Sequence, residues 1–194
     1  MNYLAHLYLA EDSSDSLLGN FIADFVKGSA INRYSDEIRK GIELHRKVDA
    51  FTDSHPLFKE SKKLMSDEHK RYAGITVDIF YDHFLAKNWS KYSTITLKEF
   101  TSKVYDVLEI NADILPKNLQ IGLPKIKLEN WLMCYETIQG INLTLKRVSL
   151  RLKRNNNLAA ATEDLKANYQ KLEYYFKLFF PDLIKYVQSI KLFK

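Results

Sequence analysis

At 194 residues, with 46% hydrophobic and 27% charged positions, the chain is sized for one domain whose core needs no disulfide staples. The single Cys134 excludes an internal disulfide framework and a Cys-rich structural zinc site, and no run reaches the ~18 apolar residues that a bilayer span needs. The net charge of +5 is unevenly held, since residues 140–194 carry 11 Lys/Arg against 4 Asp/Glu while residues 1–139 carry 18 against 20.

Six Gly, four Pro, no Asn-Gly or Asp-Gly hairpin pair and long periodic segments predict an all-α fold, a single helical bundle spanning residues 1–194. Residues 1–90 are expected to supply the chemistry and residues 91–194 the scaffold and a basic docking surface. The opening MNYLAHLYLA has no basic leader and no small-residue cleavage site, so a cytoplasmic address is expected. It places His6 among leucines, as a short helix or an extended arm. In SSDSLLGNFIADFVKG, Ser13 or Ser14 is the expected N-cap and Gly28 the stop, with Leu17, Leu18, Phe21, Ile22 and Phe25 buried. Asn20 and Asp24 stand four apart there. Asp24, between Ala23 and Phe25 in mid-helix, is expected to be partly desolvated and to need a cation or a metal.

Ser35 or Asp36 is expected to cap the next helix, and Pro56 to open a short, outward-lying one. A helix over about 72–88 follows, with Asp78 and Asp82 on one face and His83 turned about 100° away. Thr94 or Thr96 should start another, running to about 109. Pro116, Gly122 and Pro124 read as a connection, residues 127–153 as a helix pair broken near Gly140, and Asn155 to Asn157 as a turn. The last helix, from 158 to about 179, should be kinked or restarted by Pro181, and its aromatic stripe of Tyr175, Phe176 and Phe179 reads as core. Cys134, in WLMCYE, reads as an inert buried thiol.

The stretch GIELHRKVDAFTDSH, residues 41–55, organises the rest. His45, Asp49 and Asp53 fall at four-residue steps, each turning a side chain by only about 40°, so they climb one face of a helix. Leu44, Val48 and Phe51 give the same helix an apolar stripe to bury. Two readings stay open: a solvated face paired with Arg46 and Lys47, or a metal or catalytic element, because i, i+4 His/carboxylate spacing is the geometry of helical metal sites. Recurrence of acids or histidines among bulky apolar residues in NFIADFVKG and DIFYDHF favours the second.

MNYLAHLYLA, GNFIADFVKG, GIELHRKVDAFTDSHP and VDIFYDHFLAKNW, in this order and spacing, resemble the acyl carrier protein phosphodiesterase family, densely over the first 90 residues. The resemblance implies a helical fold akin to the HD metal-dependent phosphohydrolases, though the adjacent pair here runs Asp82 then His83. It implies release of the 4′-phosphopantetheine arm from holo acyl carrier protein by hydrolysis of its phosphodiester, with a divalent cation, typically manganese. The matching polar positions are His6, Asn20, Asp24, His45, Arg46, Asp49, Asp53, Asp82 and His83.

Phosphodiester hydrolysis requires charge neutralisation, a strong nucleophile and a protonated leaving group, and a metal held by imidazole and carboxylate ligands supplies the first two. The expected ligands are His6, Asp24, His45 and Asp82. Asp49 is expected to orient or share the metal, Asp78 or His83 to handle protons, and Asn20 and Arg46 to bind substrate, Arg46 through the phosphate. Acyl carrier proteins are acidic, so Lys146, Arg147, Arg151, Lys153 and Arg154 form the candidate docking collar; a merely solvating surface is the plain alternative. No DNA partner is expected. Two rival functions stand beside this one: an HD-type phosphohydrolase acting on a nucleotide or other small phosphoester, and a non-enzymatic protein whose basic aromatic tail, KLEYYFKLFF, binds nucleic acid or an anionic membrane.

Overall fold

Which faces are apolar decides how the helices pack, and one helix is buried on nearly every side. The computed structural model describes residues 2–152, 154 and 156–192, and every regular element among them is helical. The α-helices are α1 (Tyr3–Leu9), α2 (Ser14–Ile22), α3 (Asp36–Ser54), α4 (Pro56–Lys63), α5 (Ala73–Lys87), α6 (Leu97–Ile110), α7 (Lys117–Leu128), α8 (Ile138–Arg151), α9 (Thr162–Ala167) and α10 (Tyr169–Leu192), with short 3₁₀ turns between them. Residues 76, 77 and 79–86 of α5 are all buried, so this helix forms the axis of one compact bundle, with α1, α4, α8 and α10 packed around it. No helix among the described residues is long and apolar enough to cross a membrane.

The caps explain where the helices begin. Ser13 Oγ accepts from the Ser16 N–H to start α2, and Ser35 Oγ accepts from the Ile38 N–H to start α3. Thr96 and Glu99 form a reciprocal capping box at α6, and Pro56 occupies the first turn of α4. Helices α2 and α3 cross with almost no separation. A Cβ on Gly19 would lie 2.3 Å from the Ile38 carbonyl oxygen, and one on Gly41 would lie 2.9 Å from that of Ser16. This contact brings the end of α2 against the middle of α3.

Four expectations give way to packing. Asp24 is not in mid-helix: α2 ends at Ile22 and residues 23–25 form a 3₁₀ turn, which leaves Asp24 exposed. Gly28, at φ +55°, opens a separate 3₁₀ turn rather than stopping α2. The segment holding Pro116, Gly122 and Pro124 is not a connection but helix α7, with Pro124 inside it, because Leu119, Leu123 and Ile126 bury along one face. Likewise α10 runs unbroken through Pro181. Phe176, Phe179 and Phe180 before the proline and Leu183 after it, all fully buried, hold its two sides, each contributing roughly 1.5–3 kcal/mol of burial. Of the tail aromatics, Phe176, Phe179 and Phe180 belong to the core, while Tyr174 is exposed and Tyr175 is half-buried. Helix α4 is less peripheral than its polarity suggests, since Phe58 and Ser61 are fully buried. Cys134 is half-buried, with the Arg147 guanidinium 3.6 Å from its sulfur. Of the expected Asn155–Asn157 turn, Asn155 lies outside the described residues.

Candidate metal centre

Helices α1 and α3 and the turn after α2 bring two histidines and two aspartates together. His45 and Asp49, one turn apart on α3, present Nε2 and Oδ2 at 3.2 Å. Asp49 Oδ1 lies 3.0 Å from His6 Nε2, supplied by α1, and Asp24 Oδ1 lies 3.4 Å from His45 Nε2. His6, His45 and Asp49 each offer an atom within 4.8 Å of the others. The two imidazoles are buried and stacked, while the Asp49 side chain is 40% exposed and Asp24 66% exposed. The cluster therefore opens on its carboxylate side, into a cup of about 270 Å³ lined by Asp24, Asp49, Thr52, Asp53 and Asp78.

Two local devices aim these groups. The His45 Nδ1–H donates to the Asn20 backbone carbonyl at 2.9 Å, which fixes the tautomer and leaves Nε2 facing the carboxylates. Asp82 accepts from the Leu4 N–H at 2.7 Å and the Ala5 N–H at 3.2 Å, pinning the first turn of α1 and with it His6.

The acyl carrier protein phosphodiesterase family model matches residues 1–183. The chain belongs to this family. A family member from Pectobacterium atrosepticum is 36% identical over 193 residues, covering 99% of this chain and all of the relative. Others from Photorhabdus laumondii and Escherichia coli O127:H6 are each 35% identical, covering 97% and 95% of this chain and 96% of each relative. All three are named acyl carrier protein phosphodiesterase. No solved structure matches the chain.

The carboxylates of this family member's cluster favour a positive charge beside them. Burial pulls the His45 pKa down, but its contacts with Asp24 and Asp49 outweigh burial and raise it to about 9. His6 is lowered, first by burial and also by the neighbouring His45 charge, against an upward pull from Asp49. The Asp24 carboxyl is lowered by its contact with His45. Asp49 is held well below the usual carboxylate range; burial opposes this, but both histidines override it. Two imidazole nitrogens and two carboxylates converge from three elements, which is the donor set of a divalent cation such as manganese, iron or zinc. Thr52 Oγ1 is buried without a hydrogen-bond partner in a residue that lines the same cup, a further polar atom turned inward.

The other sequence candidates sit differently. Asp82 is fully buried beneath α1, both oxygens engaged by backbone N–H groups, so it positions the cluster rather than joining it. Burial raises its pKa to about 7, against the pull of those two N–H groups. His83, turned away on α5, donates from Nδ1 to the Tyr135 carbonyl at 2.8 Å and accepts at Nε2 from the Tyr169 hydroxyl at 2.9 Å, locked in packing away from the cup. Asp78 does line the cup, its pKa raised by burial. Asn20 is fully buried and serves through its backbone carbonyl, its amide donating to Ser16. Arg46 donates to the Val26 carbonyl at 3.0 Å, closing the turn after α2 rather than entering the cup. Of the basic collar, Lys146, Arg151 and Arg154 are exposed, Arg147 pairs with Glu129 at 2.9 Å, and Lys153 lies outside the described residues.

Thr52 was not legible as chemistry, although its spacing of three from Asp49 and seven from His45 puts it on the same helical face. Trp131, which walls the groove beside Asp24 with Arg147 and Arg151 of the expected collar, carried no such signal, because only the fold brings it near residue 24.

Proposed function

We propose that this chain hydrolyses the phosphodiester joining 4′-phosphopantetheine to the serine of holo acyl carrier protein, giving apo carrier protein. The observation that carries the reading is the convergence of His6, His45, Asp49 and Asp24 on an acidic cup in a chain of this family. Four aspartates line that cup and no Lys or Arg does, so an anionic diester needs a cation there to approach. His6, His45, Asp49 and Asp24 would hold a divalent metal, manganese in this reading. When bound, the metal supplies charge neutralisation at the phosphate and a more acidic water.

The chain's own residues do the rest. Asn20 holds the His45 ring through Nδ1, and Asp82 holds α1, so the donor nitrogens are aimed before substrate arrives. In hydrolysis a water oxygen bonds to phosphorus and gives up a proton to solvent on the open side of the cup, the bond from phosphorus to the serine oxygen breaks, and that oxygen takes up a proton. Asp78, a carboxyl in the cup biased by burial toward its protonated form, is positioned to give that proton. The exposed Lys146 and Arg154 would draw the acidic carrier protein toward the chain. The cytoplasmic address, the division into a catalytic front and a docking rear, and kinship with the HD fold belong to the same proposal.

The test is the mass of holo acyl carrier protein before and after incubation with the protein and manganese. Loss of the phosphopantetheine group is expected. An unchanged mass, with hydrolysis of a nucleotide or other small phosphoester instead, would replace this reading with the rival one.

A further inference from the structure

The acidic cup is one end of a longer groove. Beyond Asp24 it continues into a space of about 250 Å³ bounded by Tyr3, Phe25, Trp131, Arg147 and Arg151. The same Tyr3, Phe25, Trp131 and Arg151 also border an inner chamber of about 310 Å³, closed by Phe21, Leu119 and Ile126. Three environments thus follow in series: carboxylates at the metal cluster, two guanidiniums, then an apolar recess. The guanidiniums of Arg147 and Arg151 sit 4.9 and 5.0 Å from the Trp131 ring centre, Arg147 also paired with Glu129 at 2.9 Å, an arrangement that fixes both groups beside the groove.

Gly122 shows that the recess is kept open. It lies inside α7, where glycine costs about 1 kcal/mol relative to alanine. Yet an added Cβ would meet nothing closer than the tip of Ile126 at 3.7 Å. Neither close packing nor backbone conformation requires glycine here, and the absent side chain is chamber space.

We infer that the inner chamber receives the pantetheine arm of the substrate, so that the arm threads beneath Trp131 and Arg151 while its phosphate lies toward the metal cluster. The inference rests on the proposed phosphodiesterase reading and adds where the arm goes. A chain of methylene, gem-dimethyl and amide groups behind an anionic phosphate matches the order of the groove: cation-assisted at one end, arginine-lined next, apolar at the far end. The volumes are those of spaces that enclose a small-molecule group. Arg147 and Arg151 are then positioning residues for the phosphate side of the arm.

The experiment fills the chamber. Gly122→Leu, with Gly122→Ala as a graded companion, should keep or raise the thermal midpoint while protruding into the recess. Free 4′-phosphopantetheine is titrated onto each protein by calorimetry and by Trp131 fluorescence, with Trp131→Phe identifying the signal. Wild type should bind, Gly122→Leu should bind about tenfold or more weakly, and Gly122→Ala should fall between. With manganese, the KM for holo acyl carrier protein should rise in parallel, while hydrolysis of bis-p-nitrophenyl phosphate, which has no arm, should stay at the wild-type rate. Equal binding of phosphopantetheine by wild type and a folded Gly122→Leu, or no binding by wild type, overturns the inference. Failure of wild type to cleave holo carrier protein overturns the phosphodiesterase reading alone, because the binding arm of the experiment reads the chamber independently.

Discussion

The imidazole of His6 lies flat on that of His45, ring centres 3.6 Å apart and planes 12° from parallel. Two imidazolium cations cannot share that contact, so at most one ring is charged, and the carboxylates of Asp24 and Asp49 select His45. A divalent cation resolves the conflict better than a proton, since both rings can then be neutral donors. His6→Ala and His45→Ala should each lower bound manganese and turnover on the order of 100-fold. Metal analysis and turnover on the folded variants check this. Full activity in either variant would remove that histidine from the mechanism.

Metal-free protein should be less stable at pH 9.5 than at pH 6.5. His45 is raised in the folded state to about 9 from an ordinary value of 6.5, so its stabilising charge is fully present below about 6.5 and is lost as pH climbs through about 9. Manganese should reverse the slope of its own contribution, because it competes with protons for the same nitrogens and its stabilisation grows as pH rises. Thermal melts with chelator and with manganese across this range read both signs. A metal-induced shift in midpoint that does not change with pH would separate the metal from His45.

The helical class, the i, i+4 pair His45 and Asp49, the first-turn Pro56 and, each within a choice of two residues, the caps Ser13, Ser35 and Thr96 were legible because each is a local property of the chain. The direction of Asp82 was not. Asp78 and Asp82 share spacing and acidity, and only the docking of α1 decides that Asp78 reaches the cup while Asp82 is covered by the Leu4 and Ala5 backbone. The same holds for α7 and α10. Local rules break a helix at Pro124 and Pro181, but burial of Leu119, Leu123 and Ile126 in one, and of three phenylalanines in the other, outweighs the lost backbone bond.

Asp82 gives a way to separate holding a helix from holding a metal. Asp82→Ala leaves two buried N–H groups of α1 without their acceptor and should cost roughly 2–4 kcal/mol, measured by denaturation in chelator. Manganese affinity should fall as well, because α1 carries His6, and Asp82→Asn, which retains one acceptor oxygen, should recover part of both. Unchanged metal-free stability together with lost metal binding would make Asp82 a ligand instead.

The basic rear of the chain makes a prediction about rate rather than fold. Lys146 and Arg154 are exposed, and screening over roughly 8 Å in physiological salt lets such charges steer an acidic partner only at close range. Lys146→Glu combined with Arg154→Glu should raise the KM for holo acyl carrier protein several-fold, on the order of 1 kcal/mol in encounter free energy, and leave kcat near the wild-type value. Because steering is the part of recognition that salt weakens, the doubly reversed variant should also lose most of the rise in KM that wild type shows between low and high salt. Steady-state kinetics at two ionic strengths decide the matter. A variant with wild-type KM and wild-type salt dependence would reduce this surface to solvation and leave docking to Arg147 and Arg151 beside the groove.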